Sequence, residues 1–269
     1  MTTVTLYSYP LAFNPAKAKL ALEEHGIKYT EKKVDIFGGA NLEPSYIKIS
    51  PNGWVPTLVT GDLTLTESAE IVKWTDEQEP GPLGGDKVDR DFIAEWIPKV
   101  DAWDGNLFFA AFGSLGGVLK LTTEHKIKIA EAYAKKYPDL AELYNKKAQG
   151  MKAALEEGSD KEKGEASKAQ LVALLDEAET RLSKTKYLAG DEYSIADAIF
   201  TPCLYRIPAV KLENELIDPR ENLKKYWLGL KKRPSYKKTF GVSDSGLSTA
   251  ATVLPTLGKI YISKLFGKK

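Results

Sequence analysis

The pattern of hydrophobic and polar positions divides the chain into a front part with strands and a longer part without them. In the front part, strand patterns cover 4–7 and 29–36. Between them, 15–24 carries apolar residues at helical spacing and is closed by Gly26. Two strands joined by one helix within about thirty residues form a βαβ unit with parallel strands.

A hairpin and a second helix are predicted after this unit. The apolar runs 57–59 and 63–66 predict two antiparallel strands that turn at Gly61 and Asp62. Helical spacing begins in 69–74. A βαβ unit followed by a hairpin and a helix is the order of a thioredoxin-like α/β domain.

A cluster of proline and glycine over 79–86 reads as a linker, so one domain is predicted over residues 1–79 and another over 88–269. Strand patterns disappear after the linker. Helical runs cover 88–110, 123–157, 166–184, 194–208 and 220–232, with a break predicted at the glycines of 113–117. The second domain is therefore predicted to be an all-α helical bundle.

Local patterns predict the structure of short stretches within the second domain. The charged segment 156–165 is predicted to be a solvated, mobile connection. Ser194 and Asp197 have the spacing of a capping box, which predicts the start of a helix. Cys203 lies inside that helix, where we expect a buried, inert thiol.

The tail, 247–266, is apolar, but Pro255, Gly258 and Lys259 interrupt it before it reaches the length of a membrane span. We expect the tail to pack against the body of the protein, and weak membrane association is the alternative. The side chains expected to pack are Ile260, Ile262, Leu265 and Phe266.

Charge balance and cysteine content narrow the class of function. A net charge of +1 and an isoelectric point near 7.6 give no general attraction to nucleic acid or anionic membranes, so neither is expected as a partner. One cysteine and two histidines, His25 and His125, leave no disulfide framework and no thiolate metal site. The first residues show no secretory leader, and together these features predict a cytoplasmic setting and no bound metal.

Two short motifs carry the candidate chemistry. Val55-Pro56 stands at the mouth of a predicted strand, where a cis bond would turn the N–H and C=O of Val55 outward to pair with an extended peptide. Glu67-Ser68 stands at the start of a predicted helix, where helix N–H groups, a hydroxyl and a carboxylate can receive a carboxylate and an ammonium together. Glutathione is a small peptide whose γ-glutamyl end has both groups.

Each motif also has a purely structural interpretation. Pro56 fits an ordinary turn, Ser68 fits a helix N-cap, and the strand before them fits a solvent-facing position. Only the order and the spacing of the two motifs together favour a peptide pocket.

Taken together, these pieces resemble the cytosolic glutathione transferases over nearly the whole chain. Within that superfamily the chain resembles most the tetrachlorohydroquinone dehalogenase-like group, with the β-etherases next. The residues that carry the resemblance to the superfamily are 6–10, 17–26, Val55-Pro56, Glu67-Ser68 and 194–197. Those that carry the resemblance to the subgroup are 34–36, 44–46, 55–59, 131–138, 189–197 and 233–236.

The resemblance implies an enzyme that stabilises the glutathione thiolate, whose free thiol has a pKa of about 8.5. Many relatives have a serine or cysteine where this chain has Ala12, and the dehalogenases have a cysteine near Asn14. We expect the Asn14 carboxamide to donate to the thiolate, and the alternative is that Asn14 caps the helix. Ser8 and Tyr9 are the reserve candidates for the catalytic hydroxyl.

Further glutathione contacts follow from the resemblance. Val55, with Pro56 behind it, would hold the peptide through its backbone, and Glu67 and Ser68 would hold the γ-glutamyl end. Trp54 would flank the peptide, although relatives often have glutamine or lysine there. The glycyl carboxylate would therefore be held less tightly, or held by Lys48. The electrophile is expected between the domains, against Leu11, Phe13, Trp103, Phe108, Phe109 and Phe112.

The resemblance implies a glutathione transferase whose thiolate attacks a hydrophobic, aromatic small molecule by addition, substitution or ether cleavage. One alternative is a binding or interaction protein with the same fold and without catalysis. A third reading is peroxidase or thiol-transfer activity through glutathione alone. A homodimer is expected from the family.

Overall fold

The front of the chain forms a four-stranded mixed sheet. The computed structural model describes residues 3–114, 116–158 and 160–266. Its strands are β1 (Val4–Ser8), β2 (Tyr29–Lys33), β3 (Thr57–Thr60) and β4 (Leu63–Leu65). The spatial order is β2-β1-β3-β4, in which β1 and β2 are parallel and the other two pairs are antiparallel. The predicted βαβ unit and hairpin are both present, although β2 ends at Lys33.

Helices account for most of the remaining chain. They are α1 (Phe13–His25), α2 (Pro44–Ile47), α3 (Ser68–Asp76), α4 (Arg90–Asp101), α5 (Gly105–Phe112), α6 (Gly116–Lys136), α7 (Ala141–Gly158), α8 (Lys161–Leu182), α9 (Ile195–Ala209), α10 (Glu213–Leu216), α11 (Glu221–Leu230), α12 (Pro234–Asp244) and α13 (Gly246–Phe266). The predicted fold, a thioredoxin-like α/β part followed by a helical part, is confirmed. The predicted limits of the two domains stay a prediction.

A small core holds α1 and α3 against one face of the sheet. Leu6 of β1 faces Leu58 of β3 in the strand register, and both are fully buried. Leu22 of α1 and Ile71 of α3 belong to the same buried cluster. The opposite side of α1 faces the helical part, so this helix is apolar on two sides.

The largest core joins the sheet-bearing part to the helices. Leu20 of α1 lies in one buried cluster with Trp96 of α4 and Phe200 of α9. Burial of large apolar side chains stabilises proteins by about 1.5–3 kcal/mol each. The position of α1 against α9 is therefore fixed by the same packing that holds the helical part together.

A third core fastens the α6–α7 hairpin to the sheet-bearing part. Leu42 and Ile47 pack with Ile127 of α6 and Tyr144 of α7. The Tyr144 hydroxyl donates to the Leu42 carbonyl at 2.8 Å. The α6–α7 hairpin thus covers the side of the molecule that carries α2.

Two of the predicted helical runs are each split into two helices. The run 88–110 breaks at Asp104, whose carboxylate caps α5 by accepting from the N–H groups of Asn106 and Leu107. The run 123–157 breaks near Pro138, because proline cannot supply the N–H that a continuous helix needs. The predicted glycine-rich break is present between α5 and α6.

The prediction of a mobile connection over 156–165 is wrong for most of that segment. Among the described residues of this segment, 156–158 end α7 and 161–165 begin α8, and Asp160 lies between them. Asp160 caps α8 by accepting from two backbone N–H groups. Glu and Lys are good helix formers, so most of this charged segment is helical, and the Asp160 cap begins a new helix within it.

The capping box at the start of α9 is confirmed. The Ser194 hydroxyl accepts from the backbone of the first turn, and the Asp197 carboxylate accepts the Ser194 N–H at 2.8 Å. The Tyr226 hydroxyl donates to the other Asp197 oxygen at 2.7 Å. The box therefore links α9 to α11 as well as starting α9.

The tail forms α13 and packs only in part as predicted. Ile260 is buried, whereas Ile262 is 57% exposed. The side chains of Leu265 and Phe266, which also belonged to this prediction, lie outside the described residues. Among the helices that the structure describes, none has the length and apolar character to span a membrane.

Candidate functional site

A cleft of about 700 Å³ opens between the sheet-bearing part and the helices. Its volume is in the range of small-molecule sites. The sheet-side wall contributes Leu11, Ala12, Phe13, Asn14, Trp54, Val55, Pro56, Glu67 and Ser68, and the helix-side wall contributes Asp101, Trp103, Asn106, Phe109, Leu119, Lys126 and Arg206. The structure therefore brings the two sequence motifs and the start of α1 into one cavity.

Val55 presents an unused backbone edge to the cleft. The bond between Val55 and Pro56 is cis, as expected. The carbonyl of Trp54 turns inward, where it accepts from the hydroxyls of Tyr46 at 2.6 Å and Thr57 at 3.2 Å. Within residues 3–114, 116–158 and 160–266, neither the N–H nor the C=O of Val55 has a hydrogen-bond partner. This edge can pair with an extended peptide.

The start of α3 offers free donors beside a carboxylate. Glu67 takes the N-cap position without a side-chain cap, and the first helical hydrogen bond is that of the Ile71 N–H with the Glu67 carbonyl, at 3.0 Å. The N–H groups of 68–70 therefore have no helical acceptor. Ser68 is buried at this position, and Glu67 is exposed. The arrangement can receive a carboxylate and an ammonium side by side.

The Glu67 carboxylate lies in an acidic environment that one buried cation offsets. Desolvation raises the pKa of Glu67, Asp101 and Glu70 raise it further, and Lys17 opposes the increase. Lys17 is only 1% exposed, and its Nζ lies 2.9 Å from Oδ1 of Asp101. The ion pair between Lys17 and Asp101 therefore joins α1 to the end of α4 beneath the cleft.

Asn14 lies in the first turn of α1, with its side chain at the cleft. The helix begins at Phe13, two residues earlier than predicted, and Ala12 takes the N-cap position. In the part of the chain that the structure describes, the Asn14 carboxamide has no hydrogen-bond partner and does not cap the helix. The Asn14 side chain is therefore available to a ligand.

Ser8 and Tyr9, the reserve candidates, lie outside the lining of the cleft. The Ser8 hydroxyl donates to Oε1 of Glu31 at 2.5 Å, which holds it on the β2 side of the sheet. Tyr9 is buried against Phe37, with ring centroids 5.2 Å apart. Burial raises the pKa of Tyr9, and Asp35 raises it further. These contacts favour Asn14 over the hydroxyl of Ser8 or Tyr9 as the polar group that faces a ligand in the cleft.

Two cations reach the cleft from the helical part, and the sequence did not indicate either one. Lys126 of α6 lines the cleft, and burial lowers its pKa. Among the described residues, Lys126 Nζ has no hydrogen-bond or ion-pair partner. Arg206 of α9 also lines the cleft. Lys48, the predicted alternative, is exposed at the end of α2 and lies outside the lining of the cleft.

The predicted aromatic wall is right for some positions and wrong for others. Phe13, Trp103 and Phe109 line the cleft, as does Leu11. Phe108 is fully buried between Trp103 and Phe112, at centroid distances of 5.5 and 5.2 Å. Phe108 packs in the core and Phe112 is half-buried against it, and neither lines the cleft.

Cys203, the one thiol of the chain, does not reach the cleft. It is fully buried in α9, and burial raises its pKa to about 12. The predicted inert character of this cysteine agrees with both facts.

Comparisons with known proteins agree with this geometry. Residues 6–83 match the family model for the glutathione S-transferase N-terminal domain, and residues 128–234 match the model for its C-terminal domain. A glutathione S-transferase of the TCHQD type from Arabidopsis thaliana is 32% identical over 264 residues, which cover 98% of this chain and 99% of that protein.

A bacterial relative and two solved structures extend the comparison. The tetrachloro-p-hydroquinone reductive dehalogenase of Sphingobium chlorophenolicum is 31% identical over 88% of this chain and 95% of its own length. The β-etherase LigF of Sphingobium sp. strain SYK-6 shares the fold, with a TM-score of 0.68 and 22% identity over 89% of this chain and 99% of that one. A Pseudomonas fluorescens family member solved with two bound glutathione molecules has a TM-score of 0.64 and 20% identity, over 88% and 92% of the two chains.

These matches confirm the predicted superfamily and its dehalogenase-like group, and with them an enzyme of the transferase class, whereas the likeness to the β-etherase LigF shows the shared fold. They extend over both the sheet-bearing and the helical parts that form the cleft. The chain belongs to the glutathione S-transferase family.

Proposed function

We propose that the cleft binds glutathione and activates its thiolate for attack on a hydrophobic, aromatic electrophile. The observation that carries this proposal is that three receptors share one cavity: the free edge of Val55, the start of α3 at Glu67, and the start of α1 at Asn14. The three receptors match the cysteinyl backbone, the γ-glutamyl end and the sulfur of glutathione, respectively. Relatives with bound glutathione support the choice of co-substrate.

Each charged end of glutathione has a matching group. The ammonium of the γ-glutamyl end pairs with Glu67, and its carboxylate accepts from the Ser68 hydroxyl and the N–H groups at the start of α3. The cysteinyl residue pairs with Val55 as an added strand. We assign the glycyl carboxylate to Lys126 in place of Lys48, because Lys126 lines the cleft and has no partner among the described residues.

The sulfur is placed at the start of α1. The N–H groups of Phe13 and Asn14 have no helical acceptor there, and the Asn14 carboxamide adds a third donor. Donors and the positive end of a helix dipole favour the thiolate over the thiol. The thiolate forms a bond to the electrophilic carbon, and the leaving group departs with the electron pair of the broken bond. In ether cleavage and in substitution at an aromatic ring alike, one bond to sulfur forms and one bond to the leaving group breaks.

The alternative, a protein of this fold that binds without catalysis, is favoured by one observation. Ala12 has no hydroxyl or thiol where many family members have one, so the thiolate has only backbone and carboxamide donors. An enzyme cysteine is not a substitute, since Cys203 is buried away from the cleft. We also propose a cytoplasmic homodimer, in line with what is typical of the family.

Titration with glutathione tests both parts of the proposal. Binding is measured by calorimetry while absorbance near 240 nm reports the thiolate. Glu67→Gln and Lys126→Met are each expected to weaken binding by roughly 10- to 100-fold, because each loses one charge-assisted contact. Asn14→Ala is expected to retain binding and lower the thiolate signal.

The control is Lys48→Met, which removes an exposed lysine outside the cleft and should leave the affinity within about twofold. Wild-type protein that binds no glutathione would contradict the proposal as a whole. Binding without a thiolate signal, and without conjugation of any aromatic electrophile, would favour the alternative.

A further inference from the structure

One arginine of the chain differs from the others in having no carboxylate partner. The chain has five arginines, and all lie among the described residues. Four of them form ion pairs: Arg90 with Asp76, Arg181 with Asp89, Arg220 with Asp176 and Arg233 with Glu24. Within residues 3–114, 116–158 and 160–266, no carboxylate lies within ion-pair distance of Arg206. The unpaired one is the arginine that lines the cleft.

Two aromatic rings hold the Arg206 guanidinium in place. Its central carbon lies 5.2 Å from the ring centroid of Phe13 and 4.6 Å from that of Phe109. Its Nη2 donates to Oδ1 of Asn106 at 3.2 Å. Stacking and one neutral acceptor fix the plane of the guanidinium and leave most of its five N–H donors for other partners.

The two acidic groups near Arg206, Asp104 and Asp101, each have a partner other than Arg206. Asp104, the carboxylate with the most effect on Arg206, caps α5 through two backbone N–H groups at 2.9 Å. Asp101 is paired with Lys17. Burial lowers the pKa of Arg206 to about 10, so the side chain is still charged at neutral pH. The Arg206 side chain is half-buried, and a partly desolvated charge without a counter-ion is costly to maintain in a purely structural role.

We propose that Arg206 binds a carboxylate of the electrophile, so that the cleft selects aromatic electrophiles carrying a carboxylate. The planar fork of arginine matches a carboxylate with two parallel hydrogen bonds. Phe13 and Phe109 flank the guanidinium and give the aromatic ring an apolar surface. This inference rests on the proposed function, because it concerns the second substrate of the same cleft.

A matched pair of substrates tests the inference. 4-Chloro-3-nitrobenzoate and its methyl ester both react with the glutathione thiolate, which forms a C–S bond as chloride leaves. The ester is the neutral control, and each kcat/KM is divided by the uncatalysed rate of the same compound. Wild-type protein should prefer the acid. Arg206→Gln should lower the corrected kcat/KM for the acid by roughly 10- to 100-fold and change that for the ester by less than about threefold.

Arg181 offers a matched control variant. Its guanidinium carbon also stacks on a phenylalanine, 4.1 Å from the Phe92 ring centroid, but it pairs with Asp89 and lies outside the cleft. Arg181→Gln should leave the ratio of acid to ester unchanged. Equal losses for acid and ester in Arg206→Gln would show that Arg206 only shapes the cleft, and would overturn the inference.

Binding of the conjugates separates this inference from the proposed function. S-(4-carboxy-2-nitrophenyl)glutathione and its methyl ester are titrated by calorimetry, which does not require turnover. Tighter binding of the acid conjugate, lost in Arg206→Gln, supports the inference even if neither chloride is displaced. Conjugation of both compounds with no preference for the acid overturns the inference and leaves the proposed function intact. Failure of both conjugates to bind overturns both.

Discussion

The two walls of the cleft are built on different principles. On the sheet side, the groups offered to a ligand are largely backbone: the edge of Val55 and the N–H groups at the starts of α1 and α3. On the helix side they are side chains, notably Lys126 and Arg206. A backbone receptor follows from local turns and helix starts, whereas a side-chain receptor depends on how distant helices pack. The sheet-side wall therefore supplies most of the receptor for the constant co-substrate, whereas the helix-side wall, apart from Lys126, supplies groups that can vary with the second substrate.

The largest expected effect is the loss of stability when the ion pair between Lys17 and Asp101 is removed, because this pair connects α1 on the sheet side to α4 on the helix side. Asp101→Asn leaves Lys17, which is 1% exposed, without its partner. Removal of one member of a fully buried pair costs about 3–5 kcal/mol, and the 38% exposure of Asp101 reduces this to about 2 kcal/mol. Urea denaturation should show this loss in the free energy of unfolding.

A pair on the same helix provides the control. Lys99 lies 2.8 Å from Glu177, and both side chains are at least a third exposed. Glu177→Gln should therefore change the free energy of unfolding by less than about 0.5 kcal/mol. Equal effects of Asp101→Asn and Glu177→Gln would show that the buried lysine does not need its partner.

A second, smaller effect is the dependence of glutathione binding on pH. Only ionised Glu67 can pair with an ammonium, and desolvation, Asp101 and Glu70 all raise its pKa. The affinity for glutathione should therefore be highest at pH values above this raised pKa. It should weaken as the pH falls, starting at a pH above the ordinary value of 4.5 and changing by at most about tenfold per pH unit. Calorimetric titrations between neutral and acidic pH measure this.

Two variants sharpen the pH experiment. Glutathione itself titrates, so its contribution to the pH dependence of the affinity is subtracted first. Glu67→Gln removes the titrating group of the protein and should flatten the pH dependence that remains. Asp101→Asn removes one carboxylate that raises the pKa of Glu67, so the loss of binding should begin at a lower pH. A profile that is identical in all three proteins would exclude Glu67 as the ammonium partner.

The smallest expected effect concerns the one thiol on the helix side. Because burial raises the pKa of Cys203 to about 12, only roughly one molecule in ten thousand carries a thiolate at pH 8. Iodoacetamide at pH 8 should leave the native protein unmodified, as judged by mass spectrometry, and should alkylate it in urea. Rapid labelling of the native protein would reopen a mechanism that uses an enzyme cysteine.

The sheet side could be predicted from the sequence because its signals are local. Pro56 marks a strand mouth and Ser68 a helix start, and both patterns are complete within a few residues. Lys126 and Arg206 gave no such signal. A lysine in an amphipathic helix looks the same whether it faces water or a cleft, and only the packing of α6 on the α2 side brings Lys126 there.

Errors within the helical part have similar causes. Phe108 and Phe112 are four residues apart and share one face of α5, and Phe109 lies on the adjacent face, but the sequence does not reveal which of the two faces the core. The segment 156–165 was assigned to a connection by its charge. Local helix propensity and the Asp160 cap prevailed over that compositional argument.

The unpaired N–H and C=O of Val55 have a consequence for how this protein can change over generations. Main-chain groups are encoded by no particular codon, so most substitutions at position 55 would leave them in place. Arg206 is a single side chain, and one base change in its codon replaces it. Substrate preference can therefore drift quickly, while the main-chain part of the co-substrate receptor is inherited almost unchanged.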